Sequence, residues 1–299
     1  MTGVIASGTT IAFIGLGMMG LPMASRLLAA GFAVRGADLS AAARAAFAER
    51  GGQLFDTPGA AAAGTSVVIT MLPNSSIVRE ALLSKNGAAE ALKPGALVID
   101  MSSSAPMETR RLAEELAAKG IALIDAPVSG GVKRAVDGSL AIMVGGNTAE
   151  IARARPLLEA MGKSIIATGP IGSGHAVKAL NNYVSAAGFA AACEAAIVAE
   201  KFGVDPEVFV DVLNVSTGRN NSTENKMKPV VLSGTFDSGF AMALMAKDVR
   251  TASDLATELG VNAEGARAAA KLWANALAVL GKGADHSEIY RFLARGSAS

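Results

Sequence analysis

The sequence has a single cysteine, Cys193, among its 299 residues. One cysteine cannot form a disulfide within the chain, and its setting, Ala-Ala-Cys-Glu-Ala, predicts a packed core residue rather than an activated thiolate. The two histidines, His175 and His286, are far apart in the chain, so the sequence provides no set of zinc ligands. We therefore expect a reducing compartment and no metal site.

Neither sign of charge is in excess. The chain has 27 basic and 26 acidic residues, and its formal net charge is +1. A protein that binds nucleic acid normally carries a basic stripe, and none is visible here. The sequence therefore predicts no nucleic-acid partner.

Features of membrane and secreted proteins are also scarce. The N-terminal segment lacks the basic region of a signal peptide, and its apolar run ends in glycines. The most apolar long stretch, residues 176–200, includes Lys178, Asn181, Asn182 and Glu194, so it is predicted to be a buried helix rather than a membrane span. We expect a cytoplasmic protein without a membrane partner.

Aromatic residues make up only 4% of a chain that is 51% hydrophobic, so the core must consist mainly of aliphatic side chains. In the first half, short apolar runs alternate with alanine-rich helical segments. The predicted strands are Thr10–Gly15, Ala33–Asp38, Ser66–Leu72, Ala96–Met101, Ile121–Asp125, Ala141–Val144 and Ser164–Ala167. The predicted helices between them are Leu21–Ala30, Ala41–Arg50, Ile77–Leu83, Pro106–Lys119 and Glu150–Met161. This alternation predicts an α/β fold with a doubly wound parallel sheet.

The pattern changes at a turn-rich segment, residues 169–174, after which no strand is predicted. The predicted helices that follow are His175–Phe202, Pro206–Val215, Met242–Leu259, Ala263–Leu280 and Ser287–Ala294, with a polar stretch through Asn225. The sequence thus predicts two domains, an α/β domain at 1–170 and an all-α domain at 171–299, joined by a long helix.

A glycine-rich turn joins the first predicted strand to the first helix. It has the form G-x-G-x-x-G and consists of Gly15, Leu16, Gly17, Met18, Met19 and Gly20. The first glycine permits a tight turn, the second lets a pyrophosphate approach the backbone, and the third allows close packing of helix on strand. The helix that follows directs its positive end at the phosphates. This context predicts a dinucleotide site, although a chain with 33 glycines can produce the motif by chance.

The next strand ends at Asp38, 18 positions after Gly20, where a ribose-binding carboxylate is expected. A carboxylate there accepts hydrogen bonds from the ribose hydroxyls and repels a 2′-phosphate. NAD is therefore the expected cofactor, with NADP left possible. The alternative is a solvent-exposed aspartate at the end of a strand beside a purely structural glycine turn.

Four separated blocks resemble the β-hydroxyacid dehydrogenase family, which includes 3-hydroxyisobutyrate dehydrogenases and tartronate semialdehyde reductases. The blocks are Phe13–Ala24, Asp125–Gly131 with its continuation to Gly146, Gly172–Asn182, and Ala246–Asp248. The resemblance covers residues 10 to 294. It implies a Rossmann-like NAD-binding domain, a helical domain that forms a homodimer or homotetramer, and an active site between the two. The implied reaction moves hydride between NAD(H) and a small β-hydroxy acid or its semialdehyde, of the 3-hydroxyisobutyrate or 2-hydroxy-3-oxopropionate type.

The resemblance also implies roles for individual residues. Lys178 would be the catalytic acid or base, with Asn182 one helical turn later as its partner on the same face and a substrate ligand. Asn181 points about 100° away on a helix and is left without a role. The turn Ser129-Gly130-Gly131 would bind the substrate carboxylate through backbone N–H groups. The expected further cofactor contacts are Leu72, Pro73, Ser103 and Lys247.

Several residues keep alternative interpretations. Lys247 could simply pair with Asp248 on a solvated helix face. His175 could face the cleft beside Lys178, but it is expected at a helix cap or on the surface. Lys133 and Arg134 indicate either a solvated loop or a second acidic group on the substrate, and Arg219 with its neighbouring asparagines is predicted to discriminate among substrates.

Three other functions fit parts of the pattern less well. An imine reductase of the same architecture usually lacks a lysine at the position of Lys178. A 6-phosphogluconate dehydrogenase has a much longer helical part. A non-catalytic nucleotide-binding module would tolerate loss of the lysine and of the glycines, all of which are present.

Overall fold

The computed structural model describes residues 3–295. Contacts within it divide the chain into two compact units, Met1–Lys178 and Ala179–Ser299. The division falls inside a long helix, shortly after the predicted boundary at residues 170 and 171. The outer ends of the two predicted domains, residues 1 and 299, lie outside the described residues.

The first unit is built from short strands and helices in alternation. Its strands are β1 (Thr10–Ile14), β2 (Ala33–Ala37), β3 (Gln53–Leu54), β4 (Val67–Thr70), β5 (Leu97–Asp100), β6 (Ala122–Asp125), β7 (Val128–Ser129), β8 (Leu140–Gly145) and β9 (Gly162–Gly169). Its helices are α1 (Gly20–Ala29), α2 (Ala41–Ala48), α3 (Pro58–Ala62), α4 (Ser75–Leu83), α5 (Ala88–Ala91), α6 (Pro106–Ala117), α7 (Gly131–Asp137) and α8 (Thr148–Met161).

Among residues 3–295, the strands form one sheet in the order β3-β2-β1-β4-β5-β6-β8-β7, with β9 paired to β8. The first six strands in this order are all parallel, which confirms the predicted Rossmann-like doubly wound architecture. Strand β8 runs antiparallel to β6 and β7, a departure from the purely parallel sheet that was predicted. Strand β7 continues in the direction of β6, and the chain then reverses. The connection from β7 to β8, residues 130–139, is shorter than the roughly twelve or more residues that a parallel crossover needs.

The register of the central strands brings four of their last residues into one row. Ile14 pairs with Thr70, Thr70 with Asp100, and Asp100 with Asp125. Because the strands are parallel, the loops that leave them all begin at the same edge of the sheet, where open α/β sheets bind ligands.

Both faces of the sheet are covered by helices. Along β1, Ile11 and Phe13 pack into one apolar cluster, and Ala12 and Ile14 pack into another on the opposite face. All four side chains are 3% exposed or less. The nearly continuous apolar strands that the sequence showed are therefore explained by burial on two sides.

The second unit consists of helices. They are α9 (Ser173–Phe202), which begins in the first unit, α10 (Pro206–Val215), a π-helix (Thr223–Leu232), α11 (Met242–Glu258), α12 (Glu264–Leu280), a 3-10 turn (His286–Glu288) and α13 (Ile289–Arg295). Within the described part of the chain no strand follows residue 169, as predicted.

The core of the second unit is formed around Trp273, which is fully buried and stacks on the His286 ring at 6.3 Å between centroids. Phe189 and Cys193 of α9 belong to the same cluster. Burial raises the pKa of the Cys193 thiol, so the predicted inert core cysteine is confirmed. Trp273 and His286 thus pack together among the C-terminal helices.

Helix α9 is the one helix within residues 3–295 whose length and apolar composition would suffice to cross a membrane. Core helices of soluble proteins pass the same test, and 44% of its most apolar window is buried inside the protein. This property alone therefore assigns no membrane location.

Several short elements were not predicted. They are β3, β7, α3, α5, α7 and the π-helix. The strands are only two residues long, and the short helices contain few positions for a hydrophobic period to show. The π-helix lies across Pro229, which normally argues against a helix because proline lacks a backbone N–H.

Candidate active site

The glycine turn after β1 has three glycines with three different surroundings. Gly15 has φ +97°, a left-handed conformation that favours glycine, and a Cβ there would overlap the Met71 carbonyl oxygen. A Cβ on Gly20 would overlap the Gly15 carbonyl oxygen. A Cβ on Gly17 would meet no protein atom within 4 Å. The protein itself therefore requires Gly15 and Gly20, whereas Gly17 borders open space that a ligand could occupy.

The apolar residues of this turn differ in exposure. Leu16 is 1% exposed and belongs to the core, whereas Met18 is 75% exposed and Met19 is half-buried. Of these predicted cofactor contacts, Leu16 can therefore offer only its backbone, while Met18 is open to contact through its side chain.

Asp38 follows β2 and is hydrogen-bonded to the glycine turn. The Leu16 N–H donates to Asp38 Oδ2 at 2.6 Å, and the Ser40 N–H donates to Oδ1 at 2.7 Å. These bonds fix the carboxylate beside the turn. Each oxygen keeps a second lone pair, so the group can still accept hydrogen bonds from a ribose.

The loops after β4 and β5 are tied to each other. The Leu72 N–H donates to Ser102 Oγ at 2.9 Å, and Ser103 is half-buried on the same loop. Pro73 is exposed next to Leu72. Leu72, Pro73 and Ser103, the predicted cofactor contacts from these loops, thus lie on neighbouring segments at the edge of the sheet.

A buried carboxylate, Asp100, organises the loop around Ser103. Its Oδ1 accepts hydrogen bonds from Thr70 Oγ1 at 2.8 Å and from the Ser102 N–H at 3.0 Å. Its Oδ2 accepts from Ser104 Oγ at 2.8 Å. Asp100 is 1% exposed, so these donors replace the water that the charge has lost. The loop is thereby fixed on both sides of Ser103.

A second buried carboxylate, Asp125, holds the first turn of α9. The Gly172 N–H donates to Asp125 Oδ1 at 2.7 Å, and the His175 N–H donates to Oδ2 at 2.8 Å. A Cβ on Gly145 would come within 2.5 Å of Asp125 Oδ1, so only glycine fits beside this contact. The carboxylate satisfies N–H groups that the helix cannot pair internally, and the positive end of the helix stabilises its charge.

The Ser129-Gly130-Gly131 turn lies shortly after Asp125. Gly130 has φ +129° and Gly131 has φ +67°, and both are exposed. Gly131 begins α7, on which Lys133 and Arg134 are exposed. Of the two interpretations of these residues, the solvated loop needs a correction. Both side chains are exposed, but α7 places them on a short helix next to the turn.

Lys178 and Asn182 lie on α9 at positions i and i+4, so they share one face of the helix as predicted. Lys178 is partly buried and Asn182 is 8% exposed. The neighbouring Asn181 is exposed and donates to Asn182 Oδ1 at 3.2 Å.

The carboxamide of Asn182 is oriented by Asp248, a contact that the sequence did not predict. Asn182 Nδ2 donates to Asp248 Oδ2 at 2.6 Å, and Lys247 Nζ lies 3.2 Å from Asp248 Oδ1. Only the amide nitrogen can donate to a carboxylate, so this bond determines which way the amide faces. The Lys247–Asp248 pair is not on a solvated helix face, because the Asp248 side chain is 5% exposed. Asp248 is therefore a support for Asn182.

The polar run near Asn225 is held by local hydrogen bonds. Asn220 Oδ1 accepts from the Ser222 and Thr223 N–H groups, and the Asn220 N–H donates to Thr223 Oγ1 at 2.9 Å. Asn220 is therefore used as a helix cap. Arg219 Nε lies 3.7 Å from Glu224 Oε1, and its side chain is 63% exposed.

His175 was expected at a cap or on the surface, and that prediction was wrong, since it is 1% exposed. Its Nδ1 is 2.8 Å from Thr109 Oγ1 and its Nε2 is 3.2 Å from the Ser102 carbonyl oxygen. Like Asp100 and Asp125, it was missed as a site residue. Their positions in the sequence could have indicated them. Asp100 and Asp125 lie at the ends of predicted strands, on the carboxyl edge of the sheet, and His175 lies one helical turn before Lys178.

Two family models together match nearly the whole chain. Residues 10–169 match the NAD binding domain of 6-phosphogluconate dehydrogenase, and residues 172–293 match the model described as NAD-binding of NADP-dependent 3-hydroxyisobutyrate dehydrogenase. The 2-(hydroxymethyl)glutarate dehydrogenase of Eubacterium barkeri is 40% identical over 83% of this chain and 82% of its own length.

Solved structures with the same architecture include two classes of enzyme. A Mycobacterium tuberculosis 3-hydroxyisobutyrate dehydrogenase, solved with L-serine, has a TM-score of 0.89 and 37% identity, covering 95% of this chain and 99% of that one. An imine reductase from Myxococcus stipitatus, in complex with NAD+, has a TM-score of 0.63 and 18% identity over 95% and 99% of the two chains. The second likeness shows a shared fold and carries no inference about the reaction.

The surroundings of Gly17 and Gly20 predict that alanine will affect ligand binding at one position and stability at the other. Gly20→Ala places a methyl group against backbone and should lower the melting temperature by several degrees, as expected for a loss of about 1–3 kcal/mol from overpacking. Gly17→Ala should leave the melting temperature nearly unchanged and weaken NADH binding. Differential scanning fluorimetry and NADH fluorescence titration measure the two quantities. Equal NADH affinity for Gly17→Ala and wild type would contradict a pyrophosphate site at this turn.

Proposed function

This chain belongs to the β-hydroxyacid dehydrogenase family, and we propose that NAD is its cofactor and Lys178 its catalytic acid and base. The reaction is hydride transfer between the nicotinamide cofactor and a small β-hydroxy acid or its semialdehyde. The observation that best supports the residue assignment is the pair on α9, where Lys178 is partly buried one turn before an Asn182 whose amide is fixed by Asp248.

The glycine turn fits a dinucleotide. Open space at Gly17 leaves room for a pyrophosphate near the backbone, and Asp38 is held at the end of β2 where it can accept from ribose hydroxyls. Ser103 and the Leu72–Pro73 loop would contact other parts of the same molecule, and Lys247 would reach it from α11. Bound there, NAD supplies the hydride acceptor for alcohol oxidation.

Lys178 would move the proton that hydride transfer requires. Oxidation of an alcohol releases the hydroxyl proton as the hydride leaves carbon, and reduction needs that proton returned to the oxygen. A partly buried lysine can do both, because loss of hydration favours its neutral form. Asn182 would hydrogen-bond the same substrate oxygen, its amide kept in one orientation by Asp248.

The substrate carboxylate would bind the Ser129-Gly130-Gly131 turn, where successive N–H groups can form an anion-binding concavity. The names of two relatives include 3-hydroxyisobutyrate, with one carboxylate, and 2-(hydroxymethyl)glutarate, with two. Lys133 and Arg134 are exposed on α7 directly after the turn. We propose that these two residues decide whether a second acidic group is accepted.

Turnover of a substrate panel tests the function and the catalytic residue together. NADH formation is followed with 3-hydroxyisobutyrate, 2-(hydroxymethyl)glutarate, glycerate, threonate, L-serine and 4-hydroxybutyrate. At least one should be oxidised, and Lys178→Met should lower kcat by about 10²–10⁴-fold, the usual contribution of a general acid or base. Lys201→Met, on the last turn of the same helix, is the matched control and should retain wild-type turnover.

Each contradictory result has a distinct meaning. Full activity of Lys178→Met would remove the lysine from the mechanism while leaving the reaction class intact. Absence of turnover with every acid, together with tight NADH binding, would contradict the proposed substrate class. Failure to bind NADH or NADPH would contradict the cofactor site itself.

The cofactor preference follows from the charge on Asp38. Wild type should bind NADH more tightly than NADPH, and Asp38→Asn should reduce this preference because the neutral amide no longer repels a 2′-phosphate. We expect the NADH affinity of the variant to fall about 10–100-fold, as for loss of hydrogen bonds to a charged group. Fluorescence titration with both nucleotides measures the ratio. Equal affinity of wild type for NADH and NADPH would contradict the proposal.

We also propose that the protein is cytoplasmic and forms a homodimer or homotetramer. In support, several apolar side chains on α9 and α10 are more than half exposed, among them Val198 (68%), Phe202 (87%) and Val215 (87%). Val198 and Phe202 lie four residues apart on one face of α9, and large exposed apolar patches mark sites of protein–protein contact.

Light scattering after gel filtration tests the assembly. The expected mass is two or four times the chain mass of 30.1 kDa, and Phe202→Asp should reduce it by burying a charge in the contact. A wild-type mass equal to that of one chain at micromolar concentration would contradict the proposal.

A further inference from the structure

His175 is a buried side chain that the proposed reaction does not use. It is 1% exposed and lies three residues before Lys178, in the first turn of α9. Because it has no access to solvent, it cannot act on the substrate directly. Its polar contacts nevertheless connect it to several segments that are assigned to the cofactor and the substrate.

Both ring nitrogens of His175 contact loops at the edge of the sheet. Nε2 faces the Ser102 carbonyl oxygen at 3.2 Å, and since a carbonyl only accepts, Nε2 must carry a hydrogen. Nδ1 faces Thr109 Oγ1 at 2.8 Å, and that hydroxyl also reaches the Ala105 carbonyl oxygen at 3.1 Å. The imidazole therefore joins α9 to the loop after β5 and to α6.

Two carboxylates flank the same ring. An oxygen of Asp100 lies 3.7 Å from Nε2, and an oxygen of Asp125 lies 3.7 Å from Nδ1. Asp100 holds the Ser102 N–H and the Ser104 hydroxyl, and Asp125 accepts from the His175 N–H. His175 thus connects the ends of β5 and β6, through its imidazole and its backbone N–H group.

Ser102 extends the network to a further segment. Its hydroxyl accepts from the Leu72 N–H at 2.9 Å while its carbonyl meets the imidazole. An unbroken series of contacts therefore runs from the Leu72–Pro73 loop through Ser102 to His175. One helical turn further along α9 is Lys178. All of these residues belong to the first unit.

We propose that His175 is a positioning residue that sets Lys178 relative to the loop carrying Ser103. This rests on the proposed function, in which Ser103 contacts the cofactor and Lys178 the substrate oxygen. Reacting groups must be held in a narrow range of geometry, and a misplacement of about 1 Å can cost about 100-fold in rate. A substitution at His175 should therefore act on kcat more than on the affinity for NADH.

Two substitutions at His175 distinguish the loss of both of its polar contacts from the loss of one. His175→Phe keeps an aromatic ring and removes both polar contacts, and it should lower kcat by about 100-fold. In His175→Gln the amide nitrogen can replace Nε2 and donate to the Ser102 carbonyl, so this variant should recover most of the lost kcat. The KM for the hydroxy acid and the Kd for NADH should change less than kcat in both.

The other histidine of the chain supplies a matched control. His286 is also buried, at 2% exposure, and its Nδ1 lies 3.1 Å from the Phe240 carbonyl oxygen. It lies outside the proposed catalytic and binding residues. His286→Phe should lower the melting temperature and leave kcat within a few-fold of wild type. This result would distinguish the general cost of removing a buried histidine from a specific displacement of Lys178.

Hydrogen–deuterium exchange of the protein without ligand gives a second readout that does not depend on activity. His175→Phe should increase exchange in residues 101–109 and 172–178 over the increase seen elsewhere, and His175→Gln should restore protection in residues 101–105. Unchanged exchange in both segments together with unchanged kcat would overturn the positioning role. If wild type oxidises no hydroxy acid, the proposed function fails, and the exchange result still decides whether His175 joins these segments.

Discussion

The geometry at the carboxyl edge of the first unit's sheet depends on the hydrogen bonds to one buried carboxylate, that of Asp125. It ends β6, and it accepts hydrogen bonds from the Gly172 and His175 N–H groups at the start of α9. An uncompensated charge would be very costly at 0% exposure, so these donors and the helix dipole are needed to keep it there. The same contact fixes the first turn of α9 on the sheet, and Lys178 follows on the next turn.

A few side chains therefore determine where the residues of the proposed site lie. Asp100 holds the loop around Ser103, Asp125 holds the start of α9, and His175 contacts both of the segments that they organise. In the second unit Asp248 has a comparable relation to Asn182. None of these four needs to touch the substrate or the cofactor, yet each restricts a neighbour that is proposed to contact one of them. Such support is what precise positioning requires.

Much of the fold could be predicted because the first unit repeats one simple pattern, apolar strands buried on both faces between alanine-rich helices. The glycine turn and Asp38 were recognisable because chemistry demands small residues and a carboxylate at a particular spacing. The strand at β8 was predicted, but its antiparallel direction was not, because the apolar pattern of a strand does not reveal its direction. Strand β7 was not predicted, since its two residues leave no periodic signal. Position alone could have placed His175 near Lys178, but the contacts of His175 and Asp248 could not be predicted, because hydrogen bonds between residues up to 73 positions apart exist only once the chain has folded.

A crystal structure of the protein with NADH and a non-reacting analogue of its hydroxy acid would test the central claim most directly. The account predicts that Lys178 Nζ lies within about 3.2 Å of the substrate oxygen that gains or loses the proton, the reach expected of a general acid or base. It also predicts that the substrate carboxylate lies on the backbone of the Ser129-Gly130-Gly131 turn. A complex in which the nicotinamide faces a different side chain, with Lys178 directed away from the substrate, would contradict the account.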